Sequence, residues 1–400
     1  MARAHKSAVM KGRIALFTNT LAGGGMERAV VNIANQLSQN YYQVDLLLAE
    51  CKGDLFEELS SNVNVVCLRK YSKIDFRLIW PMMTASRYSA KYYLQNLLKN
   101  WPKALRCIPD IKMYIRKYKP DILISTPMTA SVAAILACER LADKPKLFAR
   151  EASTLSVETE NKNKSSFGNI AKLVPWAYAK TELVLSVSKG VKQDLCDKYS
   201  LKESCVEVLR NPIDAKQLIN YSSEYNSNEL IINLNSCYIL GIGRLEEQKD
   251  FDTLIRAFSA LKFNLPIKLV ILGEGSKRKD LEDLVEELGI SERVILPGFV
   301  RNPYPYLSNC DLFVLSSKWE GLANVLREAM IFGKKIVATD CPSGTREILE
   351  NYTPGIVVPV SDYIAMSNAI FKALNTSSNE KINSVTSDID DYLNLVNRFI

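Results

Sequence analysis

The stretch Asp311-Leu-Phe-Val-Leu-Ser-Ser-Lys-Trp-Glu320-Gly-Leu-Ala-Asn-Val-Leu-Arg-Glu328-Ala-Met330 reads as a buried strand, a small-residue turn and the opening of a helix. Leu312 to Leu315 form a continuous apolar run, the pattern of a strand covered on both faces. Gly321 and Ala323 carry almost no bulk, so backbone there can approach a ligand closely. A helix that opens behind such a turn presents free N–H groups and the positive end of its dipole, which suits an anion. The N–H groups of Leu322, Ala323, Asn324 and Val325 are the expected donors. Glu320 stands at the mouth and Glu328 about two turns deeper, so the anion would meet hydroxyl-accepting carboxylates on both sides. A phosphate that carries sugars on either side has that shape. Two solvated glutamates at a helix start are the plain alternative.

The same strand–turn–helix alternation runs outward through nearly the whole chain, which predicts parallel sheets with helices on both faces. In the first half the expected strands are Arg13–Thr18, Gln43–Ala49, Asp121–Ser125, Lys146–Arg150 and Leu183–Ser188. In the second half they are Tyr238–Gly243, Lys268–Gly273, Arg293–Pro297, Asp311–Ser316, Lys335–Thr339 and Gly355–Val358. Asn211-Pro-Ile-Asp214 and a polar Asn/Ser-rich stretch to Ser236 mark a domain junction. The expected architecture is α/β, with two doubly wound Rossmann-like domains facing a cleft, at residues 1–212 and 213–380. Residues 381–400 form a tail or helix. Ligands of such sheets bind beyond the strand carboxyl ends.

Two further segments carry chemistry. The first strand ends in Asn19-Thr-Leu-Ala-Gly-Gly-Gly-Met-Glu-Arg28, where Gly24 and Gly25 bring backbone and a helix N-terminus toward a ligand. A tight turn explains the triplet equally well. In Tyr238-Ile-Leu-Gly-Ile-Gly-Arg-Leu-Glu-Glu-Gln-Lys-Asp-Phe251, Arg244 leaves a buried strand after Gly243, and Lys249 follows ahead of a helix. Arg244 can fork onto phosphate oxygens, and Lys249 supplies a compact charge. Charge that grows on a departing diphosphate needs such neutralisation.

The spacing of Glu320 and Glu328 resembles the E-x7-E signature of the retaining glycosyltransferases of family 4, which have the GT-B fold. Gly333, the strand Lys335–Thr339 and Asp340-Cys-Pro-Ser-Gly-Thr-Arg-Glu-Ile348 follow in that family's order. The run from Gly243 to Lys249 is similar to the family's diphosphate-holding G-R-L-x-x-x-K, and the Gly23–Gly25 loop to its first-strand glycine loop. The turn Gly298-Phe299-Val300 resembles the place where its members rest a nucleobase. The resemblance covers about Arg13 to Val360 and is densest over Leu240–Leu349. Ala323 stands where many members carry proline, and Arg327 replaces a usual aliphatic. The resemblance implies that the last helix crosses back to the first domain. It also implies that Arg244, Lys249 and the helix tip hold donor phosphates, that Glu328 accepts from ribose hydroxyls, and that Glu320 accepts from those of the transferred sugar. On the acceptor side the candidates are Arg150 and Glu151, at the end of a strand expected to face the cleft.

Composition narrows the chemistry. The 400 residues include one histidine, His5, so a mechanism built on a histidine base is nearly excluded. Many family members have a histidine in the first domain, and its absence fits a front-face route in which the leaving phosphate takes the acceptor proton. Nine scattered cysteines with no C-x-x-C pair point to reduced thiols, and against a zinc site or disulfide framework. Asp388-Ile-Asp390 imitates a metal-binding D-x-D, but in a polar tail it reads as solvated, and no cofactor or metal requirement is expected. No stretch is long and apolar enough to span a membrane, and no signal peptide is seen. The net charge of +7 is uneven, because residues 69–119 hold thirteen Lys/Arg against two acids, leaving about −4 elsewhere. That segment also carries interleaved aromatics, among them Trp80, Trp101 and Tyr114. Basic side chains and rings suit an anionic bilayer surface. A solvated helical insertion is the plain alternative, and without a nucleic-acid fold signature no nucleic-acid partner is expected.

Together these features lead to an expected cytoplasmic, membrane-peripheral glycosyltransferase. It would move a sugar from a nucleotide-sugar donor, expected to be UDP-linked, to a glycolipid or lipid-linked saccharide with retention of configuration. A sugar-nucleotide epimerase on the same scaffold and a non-catalytic nucleotide-sugar-binding protein are the rivals.

Overall fold

The computed structural model describes residues 10–22, 24–75, 101–161, 166–224, 237–261, 267–376 and 388–400. The chain divides into two compact units, Met1–Ile213 with Asp388–Ile400, and Asp214–Ser387. The expected linker residues 225–236 and most of the basic aromatic segment, 76–100, lie outside the described residues.

The first unit is built on a seven-stranded sheet in the order β3-β2-β1-β4-β5-β6-β7. Its strands are β1 (Arg13–Thr18), β2 (Gln43–Leu48), β3 (Val63–Cys67), β4 (Ile122–Ser125), β5 (Lys146–Glu151), β6 (Leu183–Ser186) and β7 (Val206–Val208). All pairs are parallel. Near-continuous apolar runs such as Ile14–Phe17 are buried because helices cover both faces. Each fully buried Leu or Ile there contributes roughly 2 kcal/mol. The two strands absent from the sequence expectation, β3 and β7, are the sheet edges. Their residues are partly exposed, so no long apolar run announces them.

The second unit has a six-stranded parallel sheet in the order β10-β9-β8-β11-β12-β13. Its strands are β8 (Tyr238–Ile242), β9 (Lys268–Leu272), β10 (Val294–Gly298), β11 (Leu312–Leu315), β12 (Lys335–Thr339) and β13 (Gly355–Val358). The chain lays β9 and β10 on one side of β8, then returns to place β11 on the other. The switch point of this sheet is therefore between β8 and β11. In the first unit the same event occurs between β1 and β4.

The last helix, Ile389–Phe399, belongs to the first unit. It buries Tyr392, Leu395 and Val396 in the core that holds Val30 and Ile33. Tyr42 Oη donates to Asn397 Oδ1 at 2.5 Å, and Arg398 pairs with Glu207 at 2.8 Å. Asp388-Ile-Asp390, expected to be a solvated tail, instead opens this helix. Asp388 is buried, and Asp390 and Asp391 sit in the first turn, where acids complement the helix dipole.

Candidate functional site

The switch point of the second sheet brings together the residues that the sequence scattered over some hundred positions. β8 ends at Ile242 and the chain turns at Gly243, whose N–H donates to the Leu272 carbonyl at 3.0 Å. A Cβ on Gly243 would lie 3.0 Å from the Lys249 methylenes, so the bare glycine lets the lysine stem cross it. Beneath it, Gly273 has φ +146°, and a Cβ there would fall 1.8 Å from the Gly243 carbonyl oxygen. Only glycine fits that backbone-on-backbone contact.

Lys249 closes a short 3-10 turn, Glu247–Lys249, and the next residue, Asp250, holds φ +48°. The Asp250 carboxylate accepts from the Thr253 and Ser361 hydroxyls, both at 2.8 Å, which anchors the start of the helix Phe251–Ser259. Strand β11 ends in two serines. Ser316 Oγ donates to the Lys249 carbonyl at 2.6 Å, and Ser317 Oγ donates to Glu320 Oε1 at 2.7 Å. The Lys318 N–H donates to the Gln248 carbonyl at 2.8 Å, and Gln248 Nε2 donates to the Trp319 carbonyl at 2.9 Å. From β12, Thr339 Oγ1 donates to the Ser317 carbonyl at 2.6 Å. These bonds stitch the loop after β8 to the loop after β11.

At their centre Lys249 Nζ meets Glu320 Oε1 at 2.5 Å, with side chains only 15% and 9% exposed. The sequence assigned the lysine to phosphate and the glutamate to sugar, but here each is the other's counter-ion. A lysine ammonium has three donors, so this pairing leaves capacity for an anion. Arg244 lies alongside and is exposed, and its Nη2 donates to Gln248 Oε1 at 3.3 Å.

Beyond Glu320, the helix starts later than the sequence suggested, at Asn324, and runs to Ile331. Gly321, Leu322 and Ala323 form the approach, which packs against Gly344. The Asn324 N–H already donates to the Leu322 carbonyl at 2.9 Å, so it is removed from the expected phosphate donors. Glu328 stands one turn into the helix rather than two turns beyond Glu320, because residues 320–323 are not helical. Gly298 ends β10 with φ +94°, and Phe299 beside it is 58% exposed, followed by a half-buried Val300. A ring that is not in the core is available to cover a flat ligand.

In the first unit, Gly24 and Gly25 lie where expected, past β1 and at the start of the helix Gly25–Gln39, and both are exposed. Gly23 is outside the described residues. Arg150 and Glu151, expected on the acceptor side at the end of a strand facing the cleft, are instead buried, each 1% exposed. Arg150 Nε donates to Tyr392 Oη at 3.1 Å and its Nη2 donates to Asn211 Oδ1. Tyr178 Oη donates to Glu151 Oε1. Burial pushes the Glu151 carboxyl up to about 8, against the lowering effect of that hydrogen bond. A saccharide hydroxyl cannot reach either side chain in this arrangement.

Two other expectations change here. Cys51 and Cys67, at the ends of neighbouring strands with Cα atoms 5.6 Å apart, form a disulfide where reduced thiols were expected. Cys67 ends β3 opposite Leu48, and Cys51 lies in the loop just past β2, so no local cysteine motif announces the pair. Part of the basic aromatic segment also turns inward. Trp101 and Tyr114 are buried, and Tyr114 Oη donates to Asp45 at 2.5 Å. Lys70 and Lys103 both pair with Glu50, whose carboxyl these hydrogen bonds lower to about 2. No helix among the described residues is long and apolar enough to cross a membrane.

Comparisons with known proteins follow the same division. The profile described as Glycosyltransferase Family 4 matches residues 23–217, and that described as Glycosyl transferases group 1 matches residues 222–385. The chain is 36% identical over 373 residues to a 4-alpha-N-acetylgalactosaminyltransferase of Campylobacter jejuni, covering 91% of this chain and 89% of the relative. That relative acts on N-acetylgalactosamine-N,N'-diacetylbacillosaminyl-diphospho-undecaprenol, by its name. The chain belongs to the GT-B glycosyltransferases. The lipopolysaccharide 1,6-galactosyltransferase of Escherichia coli is 20% identical, covering 95% of this chain and 94% of that one. Among solved structures, Anabaena HepE with UDP and glucose superposes with a TM-score of 0.71 at 17% identity, over 97% of this chain and 95% of that one.

For this glycosyltransferase, sequence reasoning missed the supports behind the named residues: Gln248, Ser316, Ser317, Thr339 and Gly273. Their one legible signal is position, since each lies at or just past the carboxyl end of a strand next to the switch point.

Proposed function

We propose that this glycosyltransferase takes an N-acetylhexosamine from a UDP-linked donor and adds it, with retained configuration, to a saccharide on a polyprenyl diphosphate. The Lys249–Glu320 pair at the β8/β11 switch point, with Arg244 beside it, is the observation that carries this reading. A departing UDP gains negative charge as the glycosidic bond breaks. Arg244 meets it as a planar fork, and Lys249 as a point charge held in place by Glu320 and the loop network. Glu320 keeps acceptor capacity for hydroxyls of the transferred sugar, and Glu328 serves the ribose. Phe299 covers the base. The sugar and acceptor classes are taken from the Campylobacter jejuni relative, and the nucleotide from the UDP bound in HepE. Without a histidine in the described residues, the β-phosphate oxygen is the base that accepts the incoming hydroxyl's proton on the donor's front face. No metal is needed to balance the leaving charge in this scheme. The enzyme works at the membrane surface through the basic residues of 69–119 that are not spent on Glu50.

The test is transfer from UDP-N-acetylgalactosamine to a diphospho-polyprenol saccharide, with the product's anomeric configuration read by NMR. The expected product is the α-anomer, and Arg244→Ala lowers turnover at least a hundredfold. An inverted product, or Arg244→Ala turnover within a factor of two of the parent, contradicts the mechanism. Release or epimerisation of donor sugar with no acceptor present favours the epimerase instead.

A further inference from the structure

The first unit has a polar cluster for which the transfer reaction has no use. Strand registry pairs Phe17 with Ser125 and Ser125 with Ala149. The next residue of each chain segment, Thr18, Thr126 and Arg150, therefore forms one row across the ends of β1, β4 and β5. This row lies on the same face as Leu16, Ile124 and Phe148, which pack in the core with Val30, Ile33 and Tyr392. Thr18, Thr126 and Arg150 are 0%, 3% and 1% exposed. Each has a polar atom without a hydrogen-bond partner: both threonine hydroxyls and Arg150 Nη1. A small cavity opens beside two members of that row, Thr126 and Arg150, and its other walls are the apolar Leu16, Phe17, Val30, Ile33 and Ile124.

Charge decides what suits this cavity. Arg150 is always cationic. Its two bonded partners, Tyr392 Oη and Asn211 Oδ1, are neutral, and it forms no ion pair with a carboxylate among the described residues. Burial disfavours the charged form of the neighbouring Glu151 carboxyl. A buried guanidinium left without a counter-charge is strongly unfavourable. A water would satisfy the hydrogen bonds but not the charge. The cavity is too small for a phosphate or a sugar, and matches a single particle about the size of a water molecule.

We propose that this cavity is a structural site for a monovalent halide-sized anion, held by Arg150 Nη1 and the Thr126 hydroxyl. The anion completes the shell of Arg150, which ties β5 to the last helix through Tyr392 and to the end of the first unit through Asn211. It is a counter-ion of the fold and takes no part in transfer.

The experiment is a crystal of the full chain soaked in sodium bromide, with anomalous data collected at the bromine edge. The expected result is an anomalous peak in the cavity, within hydrogen-bonding range of Arg150 Nη1 and Thr126 Oγ1. In solution, melting in sodium chloride should exceed melting in sodium gluconate at equal ionic strength, and rise with chloride concentration. That difference should vanish in Thr126→Val, or in Arg150→Met if that variant folds. No bromide signal in the cavity, or an equal melting temperature in the two salts, overturns the proposal and assigns the space to water.

Discussion

Replacing Lys249 with methionine keeps the stem across Gly243 and removes only the charge. The lysine and Glu320 side chains are 15% and 9% exposed, so solvent screens them poorly. Removing one member strands a buried carboxylate, and breaking a buried pair costs about 3–5 kcal/mol. Removing both, as Lys249→Met with Glu320→Gln, leaves Ser317 Oγ facing a neutral amide that still accepts its hydrogen bond. Most of the loss should then return. Turnover behaves differently. Without the lysine, the departing diphosphate loses one of its two cations, a loss of about 10²–10³ in rate if it resembles deletion of a preorganised donor. The double variant should not recover it. Urea unfolding of the second unit, followed through Trp319, the only tryptophan in that unit, measures the first quantity. Initial transfer rates measure the second. A single-variant cost below about 1 kcal/mol would refute the account of the pair as a buried, mutually dependent unit. Recovery of turnover together with stability would show that Lys249 acts only as scaffolding.

Three further outcomes are expected. Gly273→Ala forces a Cβ to 1.8 Å from the Gly243 carbonyl at φ +146°, so the second unit should lose folded yield, whereas Gly289→Ala, at φ +65° with open space around it, should cost about 1 kcal/mol by thermal melt. Glu151 titrates higher folded than unfolded, so the folded state binds the extra proton. Stability of the first unit should therefore fall as pH rises from about 4.5 to about 8, and Glu151→Gln should flatten that slope in pH-dependent urea midpoints. Phe299→Ala should raise the donor KM roughly 5- to 150-fold, from about 1–3 kcal/mol of lost base stacking. It should leave the melting temperature unchanged, because the ring is 58% exposed.

Much of the fold was legible because parallel strands buried on both faces write themselves as apolar runs. Tyr238–Ile242 and Leu312–Leu315 are of that kind, and so are their positions ahead of glycine turns and helices. Edge strands were not legible, since Val63–Cys67 and Val206–Val208 bury too little to leave a pattern. For the candidate site, residue types at strand ends and the family resemblance pointed to Arg244, Lys249, Glu320 and Phe299. Their pairing was not readable. Lys249 and Glu320 are 71 positions apart, and only the sheet order brings them to 2.5 Å. Arg150 and Glu151 show the opposite failure: two charges at a strand end look like a site, yet neutral hydrogen-bond partners from Tyr392, Asn211 and Tyr178 draw them into the core. The Cys51–Cys67 bond was hidden because the loop past β2 meets the end of the neighbouring strand β3 with no local cysteine motif to announce it.

The most direct test of the account is a crystal structure of the protein with UDP. The diphosphate should lie at the carboxyl ends of β8 and β11, with Arg244 and Lys249 Nζ both within hydrogen-bonding distance of its oxygens and Phe299 against the uracil. A nucleotide seated at the β1/β4 switch point of the first unit, or a diphosphate that touches neither cation, would contradict it.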